Sequence, residues 1–223
     1  MAVNNSTGDD DDTRRPRGRP RRQIDRDAVA DAVAALFAEG GIEAVSIART
    51  ADRLSVSRAT LYRTVPTKAD LLGILFERSA RELTVGIERV LAEETDPGAQ
   101  LPAMIRLQAE GVIQMRHYLP VFFGGGGLPT DVYRRWRKWT RQFERRWARV
   151  VSDCMDAGYL EKSDPVIATR LMLGMLIWVC RWYRPADKVT AEQIAETTIS
   201  LLNLPRGPRK STRASGRGHR RSS

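Results

Sequence analysis

Residues 55–72, SVSRATLYRTVPTKADLL, place a short helical segment, a break at Pro66 and the beginning of a second helix in close succession. With helical side chains about 100° apart, Leu61 and Val65 point inward together and Arg63 points to the opposite side. The outward side also presents small or hydrogen-bonding side chains: Ala59, Thr60 and Tyr62. The short segment therefore offers few side chains to a core and several to a partner outside the chain.

Positive charge is concentrated in the same segment. Between Arg53 and Ala69 there are four basic residues and no acidic one, although residues 24–72 as a whole have six basic and seven acidic residues. Arg side chains recognise guanine edges in the major groove of DNA, and Thr, Tyr and Lys side chains bind phosphates. Together with the helix predicted before it, the segment is typical of a helix-turn-helix that binds double-stranded DNA. The alternative is an ordinary three-helix packing unit with solvated arginines.

The net charge of the chain is a weaker guide than this local pattern. The 223 residues have a net charge of +10, but residues 1–23 contribute six Arg against four Asp, and residues 205–223 contribute seven Lys or Arg and no acid. Residues 24–204 are therefore close to neutral. A hydrophobic content of 42% is sufficient for a real core. We expect a globular body with basic ends.

Apolar residues recur with helical spacing nearly throughout the body, and no long strand-like alternation is present, so we predict an all-α fold. Gly40 and Gly41 are predicted to end the first helix, and Ser46 to cap the second. Thr67 and Asp70 predict a capping box for a long fourth helix. The predicted helices span about 25–39, 46–54, 57–64, 67–94, 100–116, 129–157, 164–183 and 190–203. The glycine-rich residues 122–129 are predicted to be a mobile loop.

Residues 36–72, LFAEGGIEAVSIARTADRLSVSRATLYRTVPTKADLL, resemble the N-terminal domain of the TetR family of one-component transcriptional regulators. The resemblance implies a repressor that is an obligate homodimer and is released from its operator by a small hydrophobic effector. The positions that it assigns to DNA fall into base-facing and phosphate-binding groups. Base-facing positions are Arg58, Ala59 and Arg63; phosphate-binding positions are Thr60, Tyr62 and Lys68; Ser57 belongs to the same predicted DNA-binding set.

The chain departs from the family pattern at three positions. Ser55 is found where the family usually has Gly in the turn, Thr50 replaces a buried aliphatic residue, and Ala48 replaces an Arg that contacts phosphate in many members. We therefore expect a less stable turn and no phosphate contact from Ala48.

The resemblance, together with the composition of the two ends, divides the chain into four parts. We predict a disordered basic arm at 1–23 and a DNA-binding domain at 24–72, followed by a helical ligand-binding and dimerisation domain at 73–204 and a disordered basic tail at 205–223. Homodimerisation is expected through the helices at about 164–183 and 190–203, which would form a four-helix bundle with their copies.

The two basic ends allow two interpretations each. PRGRP, residues 16–20, is the core of an AT-hook, in which Arg17 and Arg19 enter a narrow A·T minor groove; the alternative is a solvated flexible arm. The C-terminal end either adds sequence-independent DNA affinity or serves as a solubilising tail.

All five Trp residues lie between 136 and 182, in the second half of the chain. Three of them lie on the helix at 129–157 and contribute to one apolar stripe, with Arg135 and Arg146 at its edge. The stripe is either plain core with two snorkelling arginines or part of an apolar pocket with a cationic rim. The candidate ligand-binding residues are Arg135, Trp136, Trp139, Phe143, Arg146 and Trp178.

The ending RWYRP, residues 181–185, is similar to that of some regulators that respond to acyl-coenzyme A thioesters. This similarity implies a fatty or sterol-derived acyl thioester as the effector, ahead of a lactone or a cationic drug.

The sequence predicts neither an enzyme nor a cofactor or metal site. His117 and His219 are the only histidines, and no metal-ligand cluster is visible. Cys154 and Cys180 are expected to be reduced thiols packed as small apolar groups. With no membrane segment expected, we predict a cytoplasmic protein. The alternative function is a nonspecific architectural DNA-binding or RNA-binding protein, which the basic ends favour and the Trp-rich second half does not.

Overall fold

The predicted all-α fold is confirmed by a computed structural model, which describes residues 24–124 and 128–204 and has no strand in these residues. The described residues form nine α-helices and one short 3₁₀ turn at Pro185–Asp187. The helices are α1 (Arg26–Ala44), α2 (Ile47–Arg53), α3 (Arg58–Tyr62), α4 (Lys68–Glu93), α5 (Pro97–Met115), α6 (Leu119–Gly124), α7 (Thr130–Asp156), α8 (Pro165–Trp182) and α9 (Ala191–Leu201).

Helices α1, α2 and α3 pack with the beginning of α4 into an N-terminal unit. Its interior is made of fully buried apolar side chains, including Val33, Leu36, Ala51, Leu61 and Leu72. The predicted break in the first helix is present, because Gly41 has a φ of 64° and Gly40 is also non-helical. A short helical extension to Ala44 follows the break. The third helix is shorter than predicted, because Ser57 caps it and Arg63 ends it.

The long helix α4 connects this unit to the rest of the molecule. It begins with the predicted capping box, in which the Asp70 amide donates to Thr67 Oγ1 at 3.1 Å and the Thr67 amide donates to Asp70 Oδ2 at 3.0 Å. Its apolar side is buried from Leu71 to Ile87 and packs against α1, α5 and α7. A displacement of α4 therefore reaches both halves of the chain.

Helix α5 is the centre of the second half, where α4, α7, α8 and α9 pack around it. The sequence analysis did not predict α6, which forms because Leu119 and Phe122 are both buried in the core. The predicted loop at 122–129 is therefore wrong at its beginning, where α6 continues to Gly124. Residues 125–127 lie outside the described residues, so the mobility of this segment stays a prediction.

Candidate functional site

The outward side of α3 is the surface on which the predicted DNA-binding residues come together. Leu61 and Val65 are fully buried, whereas the Tyr62 side chain on the other side is 52% exposed. Four residues of the predicted DNA-binding set are also exposed: Ser57, Arg58, Ala59 and Arg63. Thr60 and Lys68 are half-buried at the edges of this surface.

Hydrogen bonds fix the beginning of α3. Ser57 Oγ accepts from the Thr60 amide at 3.1 Å and lies 2.7 Å from Thr60 Oγ1. Because the capping bonds already involve both hydroxyl groups, the orientation of the first helical turn is set before any partner is bound.

The positive charges near α3 fall into paired and unpaired groups. Arg49 and Arg53 on α2 both form ion pairs with Glu39. Arg58, Arg63 and Lys68 form no ion pair with any residue in the described part of the chain. The cations without ion pairs thus lie on α3, at its end and in the first turn of α4, where a polyanion does not have to displace an existing ion pair.

The turn between α2 and α3 contains a backbone conformation that normally favours glycine. Ser55 has a φ of 52°. Its amide donates to the Asp52 carbonyl, and the Val56 amide donates to the Ala51 carbonyl, both at 3.1 Å. These two bonds form a Schellman motif, which places the residue at position 55 in the left-handed region. Arg17 and Arg19, the predicted minor-groove residues, lie outside the described residues.

A cavity of about 330 Å³ lies among α4, α5, α7 and α8, next to α6. Three predicted ligand-binding residues line it: Trp136, Trp139 and Phe143. Their rings stack along α7, with centroids 5.1 Å apart between the two Trp rings and 4.9 Å apart between Trp139 and Phe143. The remaining lining consists of Leu83, Gln108, Met115, Leu119, Phe123, Thr140, Glu144, Arg170, Leu173, Gly174 and Ile177. The cavity is therefore mostly apolar, with a few polar groups, as ligand pockets usually are.

Arg135 and Arg146 do not line this cavity, contrary to the cationic rim that the sequence suggested. Arg135 Nη1 lies 2.5 Å from Glu77 Oε1, and Arg146 Nη2 lies 3.0 Å from Glu88 Oε1. Both arginines therefore connect α7 to acidic residues of α4. The periodicity of α7 placed them at the edge of the apolar stripe, but it could not tell that this edge faces α4.

Trp178 is also outside the cavity lining. Its side chain is 62% exposed on α8, together with other large apolar side chains. The exposed apolar residues of α8 and α9 are Val166, Ile167, Leu171, Met175, Trp182 and Leu201. Such a continuous apolar face on a folded protomer is typical of a protein–protein interface. By length and composition α8 could also cross a membrane, a test that core helices of other proteins pass as well.

A second, basic pocket of about 240 Å³ lies between α7 and α8. Arg141, Arg145 and Arg170 line it, and the two pockets share Glu144 and Arg170. The carboxylate of Glu144 accepts from Arg170 Nη2 at 3.4 Å, so one of the three positive charges is partly neutralised. Arg141 and Arg145 are not among the ligand-binding residues predicted from the sequence.

Thr169 adds an unusual polar group to the basic pocket. The residue is 1% exposed and lines the pocket, and its hydroxyl has no hydrogen-bond partner among the described residues. A buried hydroxyl without a partner is costly unless a ligand or water completes its bonding. The pocket therefore combines positive charge with an available hydroxyl, which suits a phosphate group.

The remaining titratable groups give no sign of catalytic chemistry in the described parts of the chain. Residues 24–124 and 128–204 contain no group of three or more potential metal ligands. Burial raises the pKa of the Cys154 thiol to about 12, and its Sγ donates to the Pro97 carbonyl at 3.1 Å. Cys154 is therefore protonated at neutral pH and behaves as a small core side chain, as predicted.

Two family models match the chain: the tetR family of bacterial regulatory proteins over residues 29–73, and the tetracyclin repressor-like C-terminal domain over residues 94–203. The HTH-type transcriptional repressor KstR2 of Rhodococcus jostii (strain RHA1) is 22% identical over 180 residues, which are 79% of this chain and 88% of that protein.

Solved structures have the same fold. A TetR/AcrR-family regulator from Thermobifida fusca YX-ER1 matches with a TM-score of 0.67 and 25% identity, over 80% of this chain and 96% of that chain. AibR in complex with isovaleryl coenzyme A and operator DNA matches with a TM-score of 0.69 and 20% identity, over 80% of this chain and 98% of that chain.

Proposed function

Because the chain belongs to the TetR family of transcriptional regulators, we propose that the exposed side of α3 binds the major groove of its operator. Arg58, Ala59 and Arg63 face base edges, while Thr60, Tyr62 and Lys68 contact phosphates, beside the Ser57 cap. The observation that supports this assignment is that Arg58, Arg63 and Lys68, on and beside the exposed side of α3, form no ion pair in the described part of the chain. Arg17 and Arg19 are proposed to extend the contact into a flanking A·T minor groove.

The operator-binding form is proposed to be a homodimer in the cytoplasm. Two copies pair through the apolar side of α8 and α9, which buries Leu171, Trp178 and Leu201. A dimer presents two copies of α3 to half-sites about one turn of DNA apart. In this arrangement residues 24–72 are the DNA-binding domain, residues 73–204 bind ligand and the second copy, and no residue is assigned a catalytic step.

The ligand is proposed to be an acyl-coenzyme A thioester. Its acyl group occupies the apolar cavity beside Trp136, Trp139 and Phe143, and its phosphates bind the basic pocket beside Arg141 and Arg145. The observation that supports this class is that the two pockets are neighbours, with Glu144 and Arg170 in the walls of both. Bidentate guanidinium groups match phosphate geometry, whereas an uncharged lactone makes no use of them. A cationic drug is opposed by the same arginines, since Glu144 is already paired with Arg170.

AibR, which has the same fold, was crystallised with isovaleryl coenzyme A and operator DNA, so this fold accommodates such a ligand in that protein. In the present chain release requires that the thioester bind the DNA-incompetent arrangement of the dimer more tightly than the competent one. Helix α4 is the proposed connection, because Leu83 lines the cavity and Lys68, on the same helix, belongs to the DNA-facing surface.

Calorimetric titration with octanoyl-coenzyme A tests the ligand assignment. The double variant Arg141→Ala/Arg145→Ala is expected to bind the thioester at least about tenfold more weakly than the wild type, because charge-assisted phosphate contacts are lost. Octanoate, which has no phosphate, should bind both proteins equally. The control Arg134→Ala/Arg137→Ala removes two cations of α7 that line neither pocket. Equal weakening of thioester binding in both double variants would show that the loss comes from the lower net charge and not from contacts in the basic pocket. That result would contradict the assignment.

A further inference from the structure

Gln108 is a polar residue in the wall of the apolar cavity. It lies in the middle of α5, the central helix of the second half, and is 4% exposed. Its carboxamide oxygen is buried and accepts no hydrogen bond among the described residues. Leaving such an oxygen unpaired destabilises the fold, so an apolar side chain at this position would give a more stable empty protein.

Four other polar side chains of the cavity wall have partners within the protein. Thr140 Oγ1 donates to the Trp136 carbonyl at 2.9 Å, and Glu144 is paired with Arg170. Trp139 Nε1 donates to Thr84 Oγ1 at 3.1 Å, away from the cavity interior. Among the described residues of the cavity wall, Gln108 is therefore the one with a fully buried side-chain polar atom that has no hydrogen-bond partner.

We infer that Gln108 is a specificity-determining residue that hydrogen-bonds an oxygen substituent on the buried, apolar part of the ligand. The inference rests on the proposed ligand class and narrows it, from acyl thioesters in general to those with a hydroxyl or keto group on the acyl portion. A carboxamide has both a donor and an acceptor, and rotation of the amide group exchanges the two. A hydroxyl satisfies either end, and a keto oxygen satisfies the donor.

An unsubstituted acyl chain leaves this carboxamide unpaired and also displaces any water from it. A site with a buried hydrogen-bonding group discriminates against ligands that lack the matching group, because its own polar atoms are then left without partners. The apolar cavity alone has no such preference, since an aliphatic wall hardly distinguishes a methylene from a slightly larger group. The preference should therefore depend on Gln108 alone.

The experiment compares binding of octanoyl-coenzyme A with that of analogues hydroxylated at carbon 3, 5 or 7 of the chain, by calorimetry. The proteins are the wild type, Gln108→Met, Gln108→Leu and the control Gln114→Met. Gln114 is on the same helix but is exposed and outside the cavity wall. Melting temperatures are measured in parallel, so that each variant is known to be folded.

For the wild type and Gln114→Met, one hydroxylated analogue is expected to bind about tenfold more tightly than octanoyl-coenzyme A. Both Gln108 variants should lose this ratio, bind the unsubstituted thioester at least as well as the wild type does, and melt at a higher temperature. Equal ratios in the wild type and the Gln108 variants would overturn the inference while leaving the ligand class intact. If no thioester binds the wild type, the ligand class is wrong and the inference fails with it.

Discussion

At the scale of single residues, Ser55 departs from the family pattern and has an unfavourable backbone conformation as a result. In the described part of the chain three helices end in the same Schellman geometry, with Ser55, Gly158 and Asn203 in the left-handed position. Gly and Asn adopt this region readily, whereas Ser has to overcome a steric penalty. The sequence analysis could identify the unusual residue, but its φ value and two backbone bonds are properties of the folded turn.

Ser55→Gly is expected to stabilise the protein by about 0.5–1 kcal/mol, the relief of left-handed strain less the added flexibility of the unfolded chain. Thermal unfolding measures it as a rise of about 1–4 °C in melting temperature. The reciprocal change Gly158→Ser should destabilise by a similar amount, since an added Cβ at Gly158 has no atom within 4 Å to collide with. An unchanged melting temperature for Ser55→Gly would mean that the turn is not strained.

Arg63 and Lys68 are predicted to contribute to DNA binding in different ways. Arg63→Ala should cost about 1–3 kcal/mol per half-site on the operator and relax the preference at one base pair. Lys68→Ala should weaken binding to operator and random DNA alike, and lower the slope of log affinity against log salt by about 2 for a dimer. Fluorescence anisotropy across a salt series measures both, with Arg49→Ala as the paired-cation control. If Arg63→Ala loses the same affinity for operator and for random DNA, Arg63 contacts phosphate only.

At the scale of elements, α4 and α7 are connected by three polar contacts in parallel register. Glu77, Thr84 and Glu88 of α4 meet Arg135, Trp139 and Arg146 of α7 in that order. Glu77 also pairs with Arg26 of α1, at 2.7 Å. These contacts join the ligand-cavity wall to the DNA-binding unit through one helix.

Much of this level could be predicted from the sequence, because caps and apolar periodicity are local properties. Ser46, Thr67 and Asp70 were placed correctly for that reason. The pairing of Arg135 with Glu77 is between residues far apart in sequence, and periodicity within one helix contains no information about its neighbour. The sequence analysis missed α6 for the same reason. This helix has few residues, and tertiary packing that buries two of them stabilises it.

Glu77→Ala tests the connection between α4 and α7. The variant should lose less than about 1 kcal/mol of folding stability, because its ion pairs are solvent-exposed. The octanoyl-coenzyme A concentration that half-releases operator should fall about 2–5-fold. The reason is that a displacement of α7 by bound ligand no longer has to break the ion pair between Arg135 and Glu77. The control Lys162→Ala removes an exposed ion pair with Asp156 remote from both sites. The same release concentration in all three proteins would show that these ion pairs do not couple the two halves.

At the scale of the whole molecule, the exposed apolar side of α8 and α9 is the proposed dimer interface. Leu171 is 65% exposed and lies on the same helix as Trp178. Leu171→Asp/Trp178→Asp is expected to give a folded monomer, because exposed side chains are replaced without disturbing the protomer core. Sedimentation should report half the wild-type mass, and operator affinity should fall with it. A dimeric double variant would place the interface elsewhere.

The central claim is that filling the apolar cavity with an acyl thioester weakens operator binding. The most direct test is the operator affinity of the wild type measured at increasing octanoyl-coenzyme A, beside Gly174→Phe. Gly174 lines the cavity, and an added Cβ there meets no atom within 4 Å, so a Phe side chain causes no backbone clash and is expected to take up ligand space. We expect the wild-type affinity to fall at least about tenfold at saturating thioester, and that of the variant not to change with thioester concentration. An operator affinity that stays constant while the wild type is saturated with thioester would contradict the account.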